Sequence, residues 1–290
     1  MTNEFKEARI EEVLKTTNIN GSQYGIPLSL SSRALYYRSD LIDTPPTNWN
    51  ELLETAKRVK SENPDMYGFS MNTNILEGTD EILDFIYQNG GSVTDSEGNI
   101  KLNTEKNIET LNYLKEFQKS GVISDPIGTS KSSQVKMFQK GDLSMFISGP
   151  WEEEKLNETI AKSPYKVALL PKGENMAMSL ATDSFSISQT SKKKDLAWKL
   201  IEFMGQFKYQ NAYDGTLGFF PVLKEEQSEV RYSEGLLKPF EEIIHYGMTS
   251  PQVPAWDIFN KEFLEAVQRV LTDKASAEEA LDNADKAINK

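Results

Sequence analysis

The sequence contains no cysteine. Disulfides, thiolate metal sites and cysteine nucleophiles are thereby excluded. Such a chain suits an oxidising compartment, although cytosolic proteins also do without cysteine. It contains one histidine, His245. A serine–histidine triad would have to use it, and a multi-histidine metal site is excluded. It lies in FEEIIHYG at a predicted helix end, where positive charge is merely favourable, so a solvated or packed imidazole is expected. No run of about 18 apolar residues occurs, so no segment is expected to span a membrane. The opening MTNEFKEARIEEVLK is charged and amphipathic and lacks the apolar h-region of a signal peptide. Basic residues are outnumbered, 32 Lys and Arg against 44 Asp and Glu, for a net charge of −12. Phosphate backbones need a basic surface, so nucleic acid is not an expected partner. Neutral or cationic ligands suit this balance, which names none of them. Short repeats, low-complexity tracts, G-x-G-x-x-G, P-loop, H-E-x-x-H and G-x-S-x-G are all missing, and no cofactor is implied.

What is present is an ordinary globular mix. The 290 residues predict two domains, and 38% hydrophobic content is enough for a sizeable core. Helical patterns alternate with short apolar runs, which predicts an α/β or α+β layered fold. Ala34 to Tyr37 reads as a strand. Asn48 reads as the N-cap of a helix with Glu51 three residues on and Leu52, Leu53, Ala56 and Val59 on one face. Tyr67 to Ser70 reads as a short strand, and Glu81 to Gln88 as a helix stopped by Gly90-Gly91. Asp95 to Gly98 reads as a turn. Thr104 is expected to cap a helix carrying Ile108, Leu111, Leu114 and Phe117. A short helix is predicted over 132–140, strands over 165–170 and 185–188, and helices over 192–206, 228–246, 256–272 and 276–289. NAYDGTLGFFPV, between the first two of those, is Gly- and aromatic-rich and is expected to be irregular.

GDLSMFISGPW, residues 141–151, reads as a buried strand that breaks at Gly149-Pro150 and is followed at once by a tryptophan. Trp256 follows another Pro-bounded loop, SPQVPA, and Tyr213, Phe219 and Phe220 lie in the Gly-rich segment. Rings at loop–helix junctions can offer flat faces to a sugar's C–H surface, while neighbouring Asn, Asp and Ser supply directional hydrogen bonds. Plain core capping is the competing reading. Trp49 and Trp198, on amphipathic helices, are expected in the core. Glu152-Glu153-Glu154 could supply acid/base carboxylates for glycoside hydrolysis. Three acids in a first helical turn are more simply read as complementing the helix dipole, since consecutive residues point apart. Lys192-Lys193-Lys194 reads as a solvated edge.

Motifs in order along nearly the whole chain carry a resemblance. They are GSQYGIPLSLSSRALYYRSDLI, PPTNWNELLETAKRV, IYQNGGSVTDSEGNIKLNT, MFQKGDLSMFISGPWEEEKL, VALLPKGEN, DLAWKLIEFM, GFFPVLKE and AVQRVLTDKASAEEALDNADKAINK. The fourth is the most specific, following F-x-x-G-x-x-A-M-x-x-x-G-P-W with Ser144 in place of Ala. Together they resemble the extracytoplasmic solute-binding proteins of ABC sugar importers, the family that includes the maltose-binding protein. The resemblance implies an α/β fold of the type II periplasmic-binding-protein kind, with two lobes closing on a ligand by a hinge motion. The first lobe would comprise residues 1–30 and 184–240, and the second 31–183 and 241–290. Relatives carry a longer segment before the Y-G-I-P motif, including a signal sequence. Here 23 residues precede Tyr24, so an incomplete first lobe is expected.

By the same resemblance, Trp151 would stack on a sugar face. Ser31 would be a polar contact just before the Tyr-containing strand, and Thr182 and Asp183 would lie in a cleft loop. Trp256 would act for an aromatic position near Asn260, and Asn72 and Asn74 would belong to a contacting loop. The departures argue against maltose itself. The implied protein is a non-enzymatic monomer that binds a carbohydrate, in the main an oligosaccharide, and delivers it to membrane ABC permease subunits. Its implied place is extracytoplasmic, lipid-anchored in a full-length form. Alternatives are the same fold with a phosphorylated or cationic solute, for which Arg33 and Arg38 are the cations to follow, and a remnant without ligand binding. A glycosidase-like enzyme with Asp183 and Glu152 roughly 5–10 Å apart is a further one.

Overall fold

The computed structural model describes residues 3–232, 234–251, 253 and 255–290. Two short helices, α1 (Asn3–Glu7) and α2 (Glu11–Lys15), precede a hairpin of β1 (Asn18–Ile19) and β2 (Ser22–Gln23). Strands β3 (Ile26–Ser31) and β4 (Ala34–Arg38) follow with only two residues between them. Next comes α3 (Trp49–Glu62), begun where the Asn48 side chain accepts the Glu51 N–H at 3.0 Å. Glu51 does not complete a capping box; its carboxylate takes the Thr47 N–H and hydroxyl instead. Helices α4 (Thr79–Gln88), α5 (Glu105–Lys119, capped by Thr104) and α6 (Lys131–Lys140, capped by Ser130) lead to β5 (Met145–Ser148). A 3₁₀ turn over Pro150–Glu152 and α7 (Glu153–Asn157) precede β6 (Tyr165–Ala168) and β7 (Met178–Phe185). The chain ends through α8 (Lys194–Met204), α9 (Phe207–Leu217), α10 (Lys238–Ile244), β8 (Gly247–Thr249), α11 (Trp256–Leu271) and α12 (Ala277–Ile288).

Two three-stranded sheets organise these elements. The first runs β5-β4-β6, all antiparallel. Every residue of β4 is buried, so apolar side chains fill both faces, with Tyr36 stacked on Phe146 at 5.1 Å. The core continues through Phe69, Phe85, Phe117 and Phe138 to Phe259 and Phe263 of α11. The second runs β3-β7-β8, with β7 antiparallel to β3 and parallel to β8. The N-terminal helices pack on residues from the later part of the chain. Ile10 N–H donates to Val222 O at 3.1 Å, Lys224 N–H donates to Ala8 O at 2.9 Å, and Phe5 meets Trp198 edge-on at 5.3 Å. No helix among the described residues is long and apolar enough to cross a membrane.

Several expectations are met closely. These are β4, α3 with its cap, the Thr104 cap, the Asp95 turn and the two C-terminal helices. Four are corrected. Tyr67–Ser70 forms only single bridges, to Leu143, Ile123 and Phe146. The strand expected at 185–188 lies at Met178–Phe185, whose outer half carries exposed Asp183 and Ser184 and so shows no apolar run. Of the segment expected to be irregular, residues 211–217 belong to the helix α9, while 218–222 are irregular as expected. Gly215 lies inside that helix, and its missing side chain leaves room for Arg231 Nη1, which a Cβ would meet at 2.3 Å. The long helix expected at 228–246 shrinks to α10, after two 3₁₀ turns and Gly235 at φ +64°.

Candidate functional site

The break after β5 places one large ring. Gly149 gives way to Pro150 at the first position of the 3₁₀ turn, where a missing N–H costs nothing. The Tyr36 hydroxyl, buried, donates to Gly149 O at 2.8 Å and fixes the bend. The Trp151 ring then folds back over Gly149, where a Cβ would lie 2.1 Å from a ring carbon. No residue but glycine leaves that ring its place.

Trp151 is half-buried and borders two cavities. One, about 300 Å³, is lined by Arg33, Glu77, Asp80, Glu81, Lys131, Ile147 and Ser148 beside the ring. The other, about 410 Å³, runs from Pro150 and Asn157 to the C-terminal turn of α9. There Gly218, at φ +72°, ends the helix against Pro150. The Arg33 guanidinium lies 4.8 Å over the Trp151 ring. Phe219 meets the ring edge-on at 6.3 Å and stacks on Tyr213 at 5.8 Å. Burial foremost, then the charges of Asp183 and Asp214, pushes the Tyr213 hydroxyl above its ordinary range.

The polar wall comes from the starts of two helices. Lys131 opens α6; its N–H donates to Glu77 at 2.8 Å and its ammonium bonds to Glu81 and to Ile147 O at 3.0 Å. Glu81 is 2% exposed. Burial raises its carboxyl, against the pull of Lys131, the Asn72 N–H and Arg33. Behind it, Asp84 accepts the Ser179 N–H of β7 at 2.5 Å and is pushed well above the usual carboxylate range by burial.

The other residues singled out in the sequence fall into four groups. Ser31 ends β3 and links the β7 backbone to Arg33: its hydroxyl donates to Ala181 O at 3.4 Å and accepts from Arg33 Nη1 at 3.3 Å. Thr182 and Asp183 sit in strand β7, not in a loop. Thr182 bonds to Thr16 at 3.0 Å, and Asp183, opposite Ser29, accepts its hydroxyl at 2.8 Å. Asn72, Asn74 and Asn260 gather where α4 begins. The Asn72 side chain accepts the Asn74 N–H at 2.8 Å, its backbone N–H donates to Glu81, and Asn260 bonds to Thr79 and to Ile75 O. Asn72 Nδ2 is buried with no partner among the described residues. Trp256 opens α11 one turn before Asn260, 38% exposed and 5.3 Å from Phe259. Of the eight, only Trp151 lines either cavity.

Arg33 stands at the ring, whereas Arg38 is buried elsewhere in a two-bond pair with Asp40. Glu152 is tied to Ser148 at 3.3 Å and Lys155 at 3.1 Å. Trp49 packs on Tyr113 at 4.4 Å and Trp198 on Phe5, while Phe220 is fully buried. His245 is exposed near Glu241. The sequence reading missed Glu77, Asp80, Glu81 and Lys131. The available signal was their position at helix starts: Asp80 and Glu81 in the first turn of α4, Glu77 just ahead of it, and Lys131 opening α6.

Comparison with known proteins shows the family and the fold. The family model described as "Bacterial extracellular solute-binding protein" matches residues 2–237. A Brucella abortus (strain 2308) binding protein is 28% identical over 293 residues, which covers 98% of this chain and 71% of that protein. The "Maltooligosaccharide ABC transporter solute-binding lipoprotein" of Streptococcus pneumoniae is 25% identical over 300 residues, covering 94% of this chain and 68% of that protein. Among solved structures, maltose-bound T. maritima MalE3 superposes with a TM-score of 0.87 at 21% identity, covering 99% of this chain and 78% of that one. The fold is therefore the type II periplasmic-binding-protein fold.

Proposed function

The chain belongs to the family of bacterial extracellular solute-binding proteins, and we propose that it binds an oligosaccharide around Trp151 and delivers it to membrane ABC permease subunits. The observation that carries the reading is the Trp151 ring standing between two polar-lined cavities, held in place by Gly149. An indole face packs against the C–H face of a pyranose, and the surrounding charged and amide groups supply hydrogen bonds to hydroxyls. Two adjoining cavities suit more than one sugar unit. Relatives named for maltooligosaccharide and galactooligosaccharide support the ligand class.

Residues 1–30 with 184–240, and 31–183 with 241–290, are proposed as the two lobes. Strands β3 and β7 pass from one to the other, and they pair directly. Ligand that touches both lobes would favour their closed arrangement through its differential affinity. The protein is read as a monomeric carrier outside the cytoplasmic membrane, lipid-anchored in its full-length form. It is not read as a glycosidase: Glu152 is held by Lys155 and Ser148, and Asp183 by Ser29.

The test is calorimetry and thermal melting with maltotriose, galactotriose and longer neutral oligosaccharides. A sugar at a hundred times its Kd stabilises by about 2.7 kcal/mol. Trp151→Ala weakens binding by about 1 kcal/mol or more. Unchanged affinity in that variant removes Trp151 from the site, and no binding to any saccharide refutes the function.

A further inference from the structure

The charged groups in the smaller cavity come in couples. Arg33 Nη2 faces Asp80 Oδ2 at 3.7 Å. Its Nη1 donates to Ser31 Oγ at 3.3 Å and Ser32 O at 3.2 Å, which fixes the guanidinium over Trp151. Lys131 is paired with Glu81. Glu77 adds a third carboxylate, so two cations against three anions leave the lining at −1. Neither cation is left over to neutralise an incoming phosphate or carboxylate.

We propose that this cavity is a specificity pocket for an uncharged sugar unit, and that Arg33 and Asp80 together read a vicinal pair of its hydroxyls. The inference deepens the carbohydrate reading and rests on it. A guanidinium only donates and a carboxylate only accepts, whereas a hydroxyl does both. A diol set across the couple donates to Asp80 Oδ2 and accepts from Arg33 Nη2 at once. The 3.7 Å gap is longer than a direct hydrogen bond, so the diol enters without displacing one. Both new bonds are charge-assisted, the stronger class. A uronate or sugar phosphate would bring a buried negative charge to a lining already at −1, with desolvation opposing it as well.

The experiment titrates the purified protein with matched pairs, maltotriose against triglucuronate and galactotriose against trigalacturonate, at low and high salt. A neutral member is expected to bind at least about tenfold tighter than its acidic counterpart, with little salt dependence. Arg33→Met and Asp80→Asn are each expected to weaken it by about tenfold or more, with cooperative melts preserved. Arg33→Lys keeps the charge but loses the fork, and falls between wild type and Arg33→Met. The exposed Lys193→Ala is the unchanged control. Acidic sugars binding as tightly, or Arg33 and Asp80 variants binding like wild type while Trp151→Ala loses affinity, overturns the pocket and leaves the carbohydrate function standing. Failure of the wild type to bind any of the saccharides overturns both.

Discussion

Replacing Asp214 with asparagine should make the protein more stable at neutral pH and leave it little changed in mild acid. Asp214 lies in α9, fully buried, with one oxygen accepting from Gln210 Nε2 at 3.1 Å and the other without a hydrogen bond among the described residues. Burial above all, and next to it the charge of Glu226, pushes its carboxyl from 3.8 up to about 8, against the pull of Gln210 and Arg231. The sign follows from linkage. Below pH 3.8 the group is protonated in both the folded and the unfolded chain. Between 3.8 and about 8 the unfolded chain gives up the proton and the folded one keeps it, so stability falls as pH rises through that window. A tenfold change in proton affinity corresponds to about 1.4 kcal/mol, which sets an upper bound of roughly 5–6 kcal/mol over the whole window. Glu226, also raised by burial, is coupled to Asp214, so about 2–3 kcal/mol is expected between pH 5 and pH 7.5. Asparagine keeps the bond to Gln210 and has nothing to titrate. Urea unfolding followed by tryptophan fluorescence at several pH values measures it. The wild-type and variant curves should diverge as pH rises, the variant above. Glu81 and Asp84, also raised, act alike in both proteins and cancel in the difference. Parallel curves, or a gap that closes with rising pH, would refute the reasoning.

Three further outcomes are expected. Gly149→Ala should drive the Trp151 ring from its place, shifting its emission and weakening saccharide binding by about tenfold, while the melt stays cooperative. Gly68→Ala places a Cβ 2.2 Å from the Ala56 carbonyl oxygen, a backbone atom that cannot step aside; a loss of about 2 kcal/mol or more by urea unfolding checks it. Asn48→Ala removes the cap on the Glu51 N–H and should cost about 1 kcal/mol, with the midpoint lowered and the denaturant slope unchanged.

The elements that the sequence made legible are those whose local signals and burial coincide. Asn48 and Thr104 both cap as their side chains suggest. Strand β4 is buried along its whole length and reads as an apolar run. Where tertiary packing overrides local chemistry, legibility fails. Gly215 looks like a breaker but yields its side-chain space to Arg231. Strand β7 is half polar because its outer half pairs with β3 while Asp183 and Ser184 stay exposed. Trp151 was legible because Gly-Pro-Trp is a contiguous cause. The couple of Lys131 and Glu81 was not, because 50 residues separate them and only the adjacency of α4 and α6 brings them together.

The pairing of β3 with β7 has a further consequence, for how the chain folds. Ser29 and Asp183 meet across 154 residues, and β8 joins the same sheet only at residues 247–249. Loop closure of that length must precede the contacts that reward it, and such long-range pairing slows folding. Strand β3 meets its sheet partner only when β7 has been synthesised, 154 residues on at the Ser29–Asp183 pair. For that interval its edge is open, and the nascent chain is held in a state that can still be threaded, bound or lost to aggregation.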